Sequence, residues 1–247
     1  IILPKVFGWS EPGLTSIASI QLGSLLAVFI YFRNDISDLV NGFRSFLLSG
    51  KLNSAHSKLS FAILIGNIPI ILAGLFIKLY WTDYENSYLR EPFFIGIVSI
   101  IMSIILYFSE MYSKRLRKIK DVSINDGIVV GFSQVLALIP GVSRSGITIS
   151  SSLLSGLDRP SAARFSFLLG IPAIFLSGLV EIQTAFLELS FYNFILLLLG
   201  ISSAAITSFF SIDFLIKFLK NYSIKVFVVY RIIFGTYVLF LVYKNIL

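Results

Sequence analysis

The chain has 247 residues, of which 56% are hydrophobic, 15% aromatic and 13% charged. Its mean hydropathy is +0.89. Ordinary soluble domains carry roughly 25% charged residues, so the composition indicates a membrane protein. With no cysteine, disulfides, thiol chemistry and cysteine metal sites are excluded, and the single histidine, His56, rules out a histidine-rich metal site in this chain. The net charge of +7 is spread over short loops between apolar runs. That pattern points to membrane orientation rather than nucleic-acid binding.

Apolar runs recur along the chain, which a cleaved signal peptide does not explain. In order, the predicted spans are Leu14 to Phe32, Phe61 to Leu79, Phe93 to Phe108, Ala162 to Thr184, Phe194 to Leu215 and Val226 to Tyr243. The fold class expected is therefore all-α: a polytopic membrane protein with about six transmembrane helices. Between the third and fourth spans lies Ile124 to Gly156, which as one helix would run about 50 Å, too long for a straight crossing. Pro140-Gly141 and Gly146 interrupt it. The arms Ile124 to Ile139 and Ser145 to Gly156 would be roughly 24 Å and 18 Å long, so neither crosses alone. Either the stretch is one discontinuous span, or it is a re-entrant hairpin that leaves on the side it entered.

Loop charges favour the hairpin. Arg33 to Ser60 carries Arg33, Arg44, Lys51 and Lys58 and reads as cytoplasmic, whereas loop 80 to 92 carries Asp83, Glu85 and Glu91 and reads as external. Lys114, Arg115, Arg117, Lys118 and Lys120 make the next loop cytoplasmic. Only a re-entrant hairpin leaves the loop with Lys217, Lys220 and Lys225 inside and Glu188 outside.

The hairpin's interruption reads PGVSRSG, residues 140 to 146, and Arg144 has no acidic residue nearer in sequence than Asp126 or Asp158. Irregular backbone at membrane depth persists only where protein or a watery cavity satisfies its polar groups. Gly141 and Gly146 allow close approach to the backbone, and Ser143, Ser145 and Thr148 supply hydroxyls. Ser145 is the expected N-cap of the second arm, whose helix start adds partial positive charge to the planar fork of Arg144. Together these groups describe an anion site suited to phosphate. A structural role for Arg144, neutralising a carboxylate, is the plainer alternative. Elsewhere, His56 reads as solvated, Glu181 and Asp213 as interfacial, and the phenylalanines as lipid-facing. Arg231 is expected to snorkel to the cytoplasmic surface, with a cavity role as the alternative.

The stretches GFSQVLALIPGVSRSGITIS (Gly131 to Ser150) and RFSFLLGIPAI (Arg164 to Ile174) resemble the bacterial undecaprenyl-diphosphate phosphatase family. The signature PGxSRSGxTI matches at every fixed position from Pro140 to Ile149. FGWSEPGLTSIASIQLGSLLAVFIYFR near the start and GNIPIILAGL at Gly66 to Leu75 are similar to the same family in the same order. The resemblance implies an inverted-repeat architecture: residues 1–123 would be the remainder of a first repeat and 124–247 the second. It implies hydrolysis of a polyprenyl diphosphate lipid at the outer face of the bacterial plasma membrane, with Mg or Ca as cofactor. Arg144, Ser143 and Ser145 are then the catalytic candidates, and Gly141, Gly146, Thr148 and Gln134 the substrate-binding ones. The family's glutamate-rich motif and histidine would precede Ile1, so its metal-holding carboxylates map to no residue here. Two expectations follow: the sequence lacks roughly one N-terminal hairpin, or the protein is an inactive remnant. A carrier or flippase for anionic lipid or phosphate remains a separate alternative, and oligomeric state is not indicated.

Overall fold

The structure is a computed structural model that describes residues 2–8, 14–81, 83–84, 87–186 and 191–246. Helices account for the architecture: α1 (Ile2–Phe7), α2 (Leu14–Tyr31), α3 (Arg33–Ser49), α4 (Ala55–Tyr80), α5 (Pro92–Tyr112), α6 (Ile124–Val135), α7 (Arg144–Leu154), α8 (Arg159–Phe186), α9 (Phe191–Asn221) and α10 (Lys225–Tyr243). Among the described residues, α4, α5, α9 and α10 contain stretches long and apolar enough to cross a bilayer. Two further helices, α2 with 18 residues and α8 with 28, cover the other two expected spans. The chain is an all-α polytopic membrane protein. Its loop after α2 is more ordered than the sequence suggested, because α3 occupies most of it and packs Phe43 and Phe46 against Phe61 of α4.

Local sequence fixes several helix ends. Ser54 caps α4 by accepting from the Ser57 N–H, and Ser123 caps α6 in a reciprocal box with Asp126. Pro92 opens α5, where its missing N–H costs nothing. The interior is built round α8, whose Phe165, Leu168 and Leu169 are fully buried together with Ala62 of α4, Val130 of α6 and Leu153 of α7. Outward positions such as Phe76, Phe210, Phe214 and Ile233 stay exposed and form the lipid face. The phenylalanines therefore divide, since Phe32 and Phe165 belong to the core.

The segment between α5 and α8 turns back on itself. The N–H of Arg117, before α6, donates to Gly156 O at 3.0 Å, and the N–H of Asp158 donates to Arg117 O at 2.8 Å. The two feet of the hairpin are thus joined, and the chain leaves at the end where it entered. Gly156, at φ +88°, makes the turn out of α7. At the other end, a 3-10 turn over Leu136–Leu138 leads into Pro140 and Gly141. The Tyr84 hydroxyl, from the loop between α4 and α5, donates to Leu138 O. Gly141, at φ +90°, lies against the Ile95 backbone near the start of α5. The tip therefore extends to the end of the bundle occupied by loop 81–91.

A guanidinium clamps the feet together. Arg117 donates from Nη1 to Asp126 Oδ1 and Ser155 O, both at 2.8 Å, and from Nη2 to Asp126 Oδ2 at 2.5 Å. Burial of Asp126 opposes its ionisation, but hydrogen bonds from Arg117 and Ser123 outweigh this and hold the carboxyl below its usual range. A folded value below the unfolded one, about 3.9, stabilises the protein above that pH and loses the contribution as pH falls through the folded value. Thermal unfolding in detergent should accordingly show Asp126→Asn destabilised by about 2 kcal/mol at pH 7, as expected when a buried carboxylate loses charge-assisted hydrogen bonds to a partly exposed guanidinium. The difference from the parent should shrink towards pH 3. A constant difference across that range would contradict the ionic clamp.

Candidate anion site at the hairpin tip

The site is built on the first turn of α7. Ser143 is extended, at φ −72° and ψ 119°, and its hydroxyl accepts from the Gly146 N–H at 3.1 Å. Ser143 is thus the N-cap, correcting the expectation for Ser145: the helix begins two residues earlier than that cap would place it, at Arg144, and Ser145 already lies inside it. The two hydroxyls remain neighbours at 3.3 Å. A capped helix start leaves N–H groups of its first turn directed away from the helix, with the positive end of the backbone dipole behind them.

From this turn the Arg144 side chain reaches α8. A Cβ placed on Gly170 would lie 2.5 Å from Arg144 Nη2, so the guanidinium occupies the space that the glycine leaves open. Arg144 Nη1 is buried without a hydrogen-bond partner, and no carboxylate pairs with this arginine among the described residues. The plainer alternative, a structural ion pair, finds no partner there. A buried guanidinium with unused donors is costly unless an anion completes it.

A second guanidinium reaches the same loop. Arg231 of α10 donates from Nη2 to Gly141 O at 2.7 Å, and its Nε is buried without a partner among the described residues. This corrects the expectation that Arg231 snorkels to the cytoplasmic surface. Its side chain turns instead into the bundle, where the irregular backbone at Gly141 offers a carbonyl that no helix satisfies. The signal was present in the sequence: a cation about 9 Å along an apolar helix, at 1.5 Å per residue, with no acidic residue one turn away.

The remaining candidates fall into two groups. Gly141, Ser143, Ser145 and Gly146 are half-buried around the tip with Arg144. Gln134 and Thr148 lie deeper and are fully buried. Thr148 Oγ1 is 2.6 Å from Ser166 Oγ and donates to Arg144 O at 2.9 Å, so it ties the α7 backbone to α8. Both polar atoms of the Gln134 amide lack a hydrogen-bond partner among the described residues. His56 stands apart from the tip, exposed and 4.0 Å from Asp38.

The donor set does not fit a divalent cation. Mg or Ca takes about six or more oxygen ligands, several of them carboxylates, whereas the tip presents two guanidinium groups, hydroxyls and backbone N–H groups. No group of three or more histidines or acidic residues stands close enough together to hold a metal among the described residues. The same set suits an anion, because planar forks, N–H groups and a helix start all present positive charge.

Fold and site define a class: a polytopic α-helical membrane protein with a re-entrant hairpin whose tip is a candidate anion site. Residues 1–237 match the family described as bacitracin resistance protein BacA, and the chain belongs to that family. It is 48% identical over 242 residues to the undecaprenyl-diphosphatase of Prochlorococcus marinus, covering 98% of this chain and 84% of that protein. An undecaprenyl-diphosphatase from a Synechococcus species is 48% identical over 244 residues, covering 99% of this chain and 85% of the relative.

Proposed function

We propose that the protein hydrolyses undecaprenyl diphosphate to undecaprenyl phosphate and inorganic phosphate, recycling the lipid carrier of cell-wall synthesis. The observation that carries this reading is the buried, unpaired guanidinium of Arg144 beside a helix start, in a chain 48% identical to proteins named for that activity. Water adds to the terminal phosphorus, the bond to the bridging oxygen breaks, and the electron pair leaves with the lipid monophosphate as a proton is released. Negative charge on the terminal phosphoryl oxygens is what the Arg144 fork and the first-turn N–H groups stabilise. Ser143 and Ser145 act in the same turn, and Gly141 and Gly146 let the phosphate approach the backbone. The polyprenyl tail lies against the apolar helices while the charged head occupies the polar tip.

A divalent cation, Mg or Ca, belongs to the proposal and would supply charge neutralisation; the tip residues do not hold it. Two inverted repeats, dividing near residue 123, are part of the same reading. Long helices with an internal proline soon after a glycine, Gly66 and Pro69 in α4 and Gly170 and Pro172 in α8, support the division. The tip is assigned to the outer side because it meets loop 81–91, whose charge is predominantly acidic.

Phosphate release from undecaprenyl diphosphate by the purified protein tests the activity, and added chelator should suppress it. Absence of release from folded protein supplied with Mg or Ca would reject the hydrolase. Sidedness is tested separately, since a chain without cysteine accepts single reporters cleanly. Lys118→Cys should react with a membrane-impermeant maleimide only after the inside of the cell is opened, and Ser87→Cys in intact spheroplasts. The reverse pattern would invert the assignment.

A further inference from the structure

We infer that Arg231 is a second phosphate-binding residue, which makes the hairpin tip a two-phosphate site and gives it preference for a diphosphate over a monophosphate. This rests on reading the tip as a phosphate site. Two helices that are far apart in sequence each send an arginine to one short loop. Arg144 lies against Gly170 of α8, and Arg231 comes from α10 to Gly141. Neither has a carboxylate partner among the described residues. The other Arg-carboxylate contacts, Arg115 and Arg159 with Glu110, Arg117 with Asp126 and Arg164 with Asp35, do pair their charge.

Bracing the loop does not account for Arg231. One bond to Gly141 O uses a single N–H of the five that a guanidinium carries. A neutral amide or a lysine could make that bond without bringing a permanently charged fork into a membrane interior. Meanwhile Nε is buried with no partner. Nη1 lies 3.8 Å from the position a Cβ on Gly146 would take, so the fork borders the first turn of α7, where the N–H groups ahead of the capped Gly146 have no helical acceptor. One fork and a helix start already match a single phosphate. A second uncompensated cation on the same turn calls for a ligand with a second phosphoryl group.

The test reads binding, so its outcome is independent of whether hydrolysis occurs. Thermal unfolding of the purified protein, with chelator present, is followed against increasing pyrophosphate or inorganic phosphate. The parent should bind pyrophosphate more tightly. Arg231→Gln should weaken pyrophosphate by roughly tenfold to a hundredfold, the loss of a charge-assisted hydrogen bond, while inorganic phosphate changes by less than about threefold. Arg144→Gln should weaken both anions. Should Arg231→Gln yield no folded protein, Arg231→Lys keeps the charge and the bond to Gly141 O, and the preference for pyrophosphate should still fall. Equal loss for both anions in the Arg231 variants would assign the residue to loop bracing alone and overturn the inference. Unchanged pyrophosphate affinity would overturn it too. Absence of stabilisation of the parent by either anion would reject the phosphate reading of the tip itself, whatever phosphate release shows.

Discussion

Replacing Arg144 by alanine is expected to lower phosphate release about a thousandfold while leaving a folded protein, since removing a positioned donor to developing charge in a dry site typically costs 10²–10³ in rate. Stability should hardly fall, because among the described residues the guanidinium makes no ion pair and Nη1 has no hydrogen-bond partner to lose. Arg144→Lys should recover less than about a tenth of the parent rate, since an ammonium keeps the charge but not the two-pronged geometry. The seat matters as well as the residue. A Cβ at Gly170 would overlap Arg144 Nη1 and stand 2.5 Å from Nη2, yet the obstacle is the far end of a flexible side chain. Gly170→Ala should therefore shift the guanidinium and cost modestly, whereas Gly170→Val should take its place and approach the Arg144→Ala rate. An Arg144→Ala variant with undiminished release would remove the residue from the mechanism.

The hairpin was legible in the sequence because two independent constraints agreed. A 33-residue stretch too long to cross straight was broken at Pro140-Gly141, and loop charge balanced only if the chain turned back. What fixes the turn physically, the clamp of Arg117 on Asp126 and Ser155, was not legible, since Arg117 looked like one of several loop cations. Its partner Asp126 already marks the capping box of α6 and lies nine residues on, a separation that periodicity does not interpret. Arg144 could be singled out because nothing near it in sequence could neutralise it. Arg231 was misplaced for a related reason: a long side chain can point along its helix in either direction, and the choice depends on a carbonyl at Gly141 that is 90 residues away. The N-cap was displaced by two residues because Ser143 and Ser145 are equally good capping types, and only backbone geometry selects between them.

A large effect on folding is expected at Gly131, whose importance comes from backbone rather than side chains. Helices α4 and α6 meet so closely that a Cβ on Gly131 would lie 2.5 Å from Gly66 Cα, and one on Gly127 would lie 2.6 Å from Ala62 Cα. Gly127 and Gly131 are four residues apart on one face, the spacing that lets helix backbones touch in a membrane, where close packing rather than water exclusion holds helices together. Backbone cannot yield as a flexible side chain can. Gly131→Ala should cost about 3 kcal/mol, the upper end of what overpacking does, read as a lowered unfolding temperature in detergent. Gly74→Ala, also in α4 but with nothing within 4 Å of its Cβ, should change stability by less than about 1 kcal/mol. The consequence reaches the site, because α6 carries the hairpin whose tip bears Arg144: prying α6 from α4 moves the loop away from Gly170 and Arg231. Gly131→Ala should thus lose phosphate release as well as stability, and parent-like behaviour in both would show that the crossing is looser than its backbone contacts require.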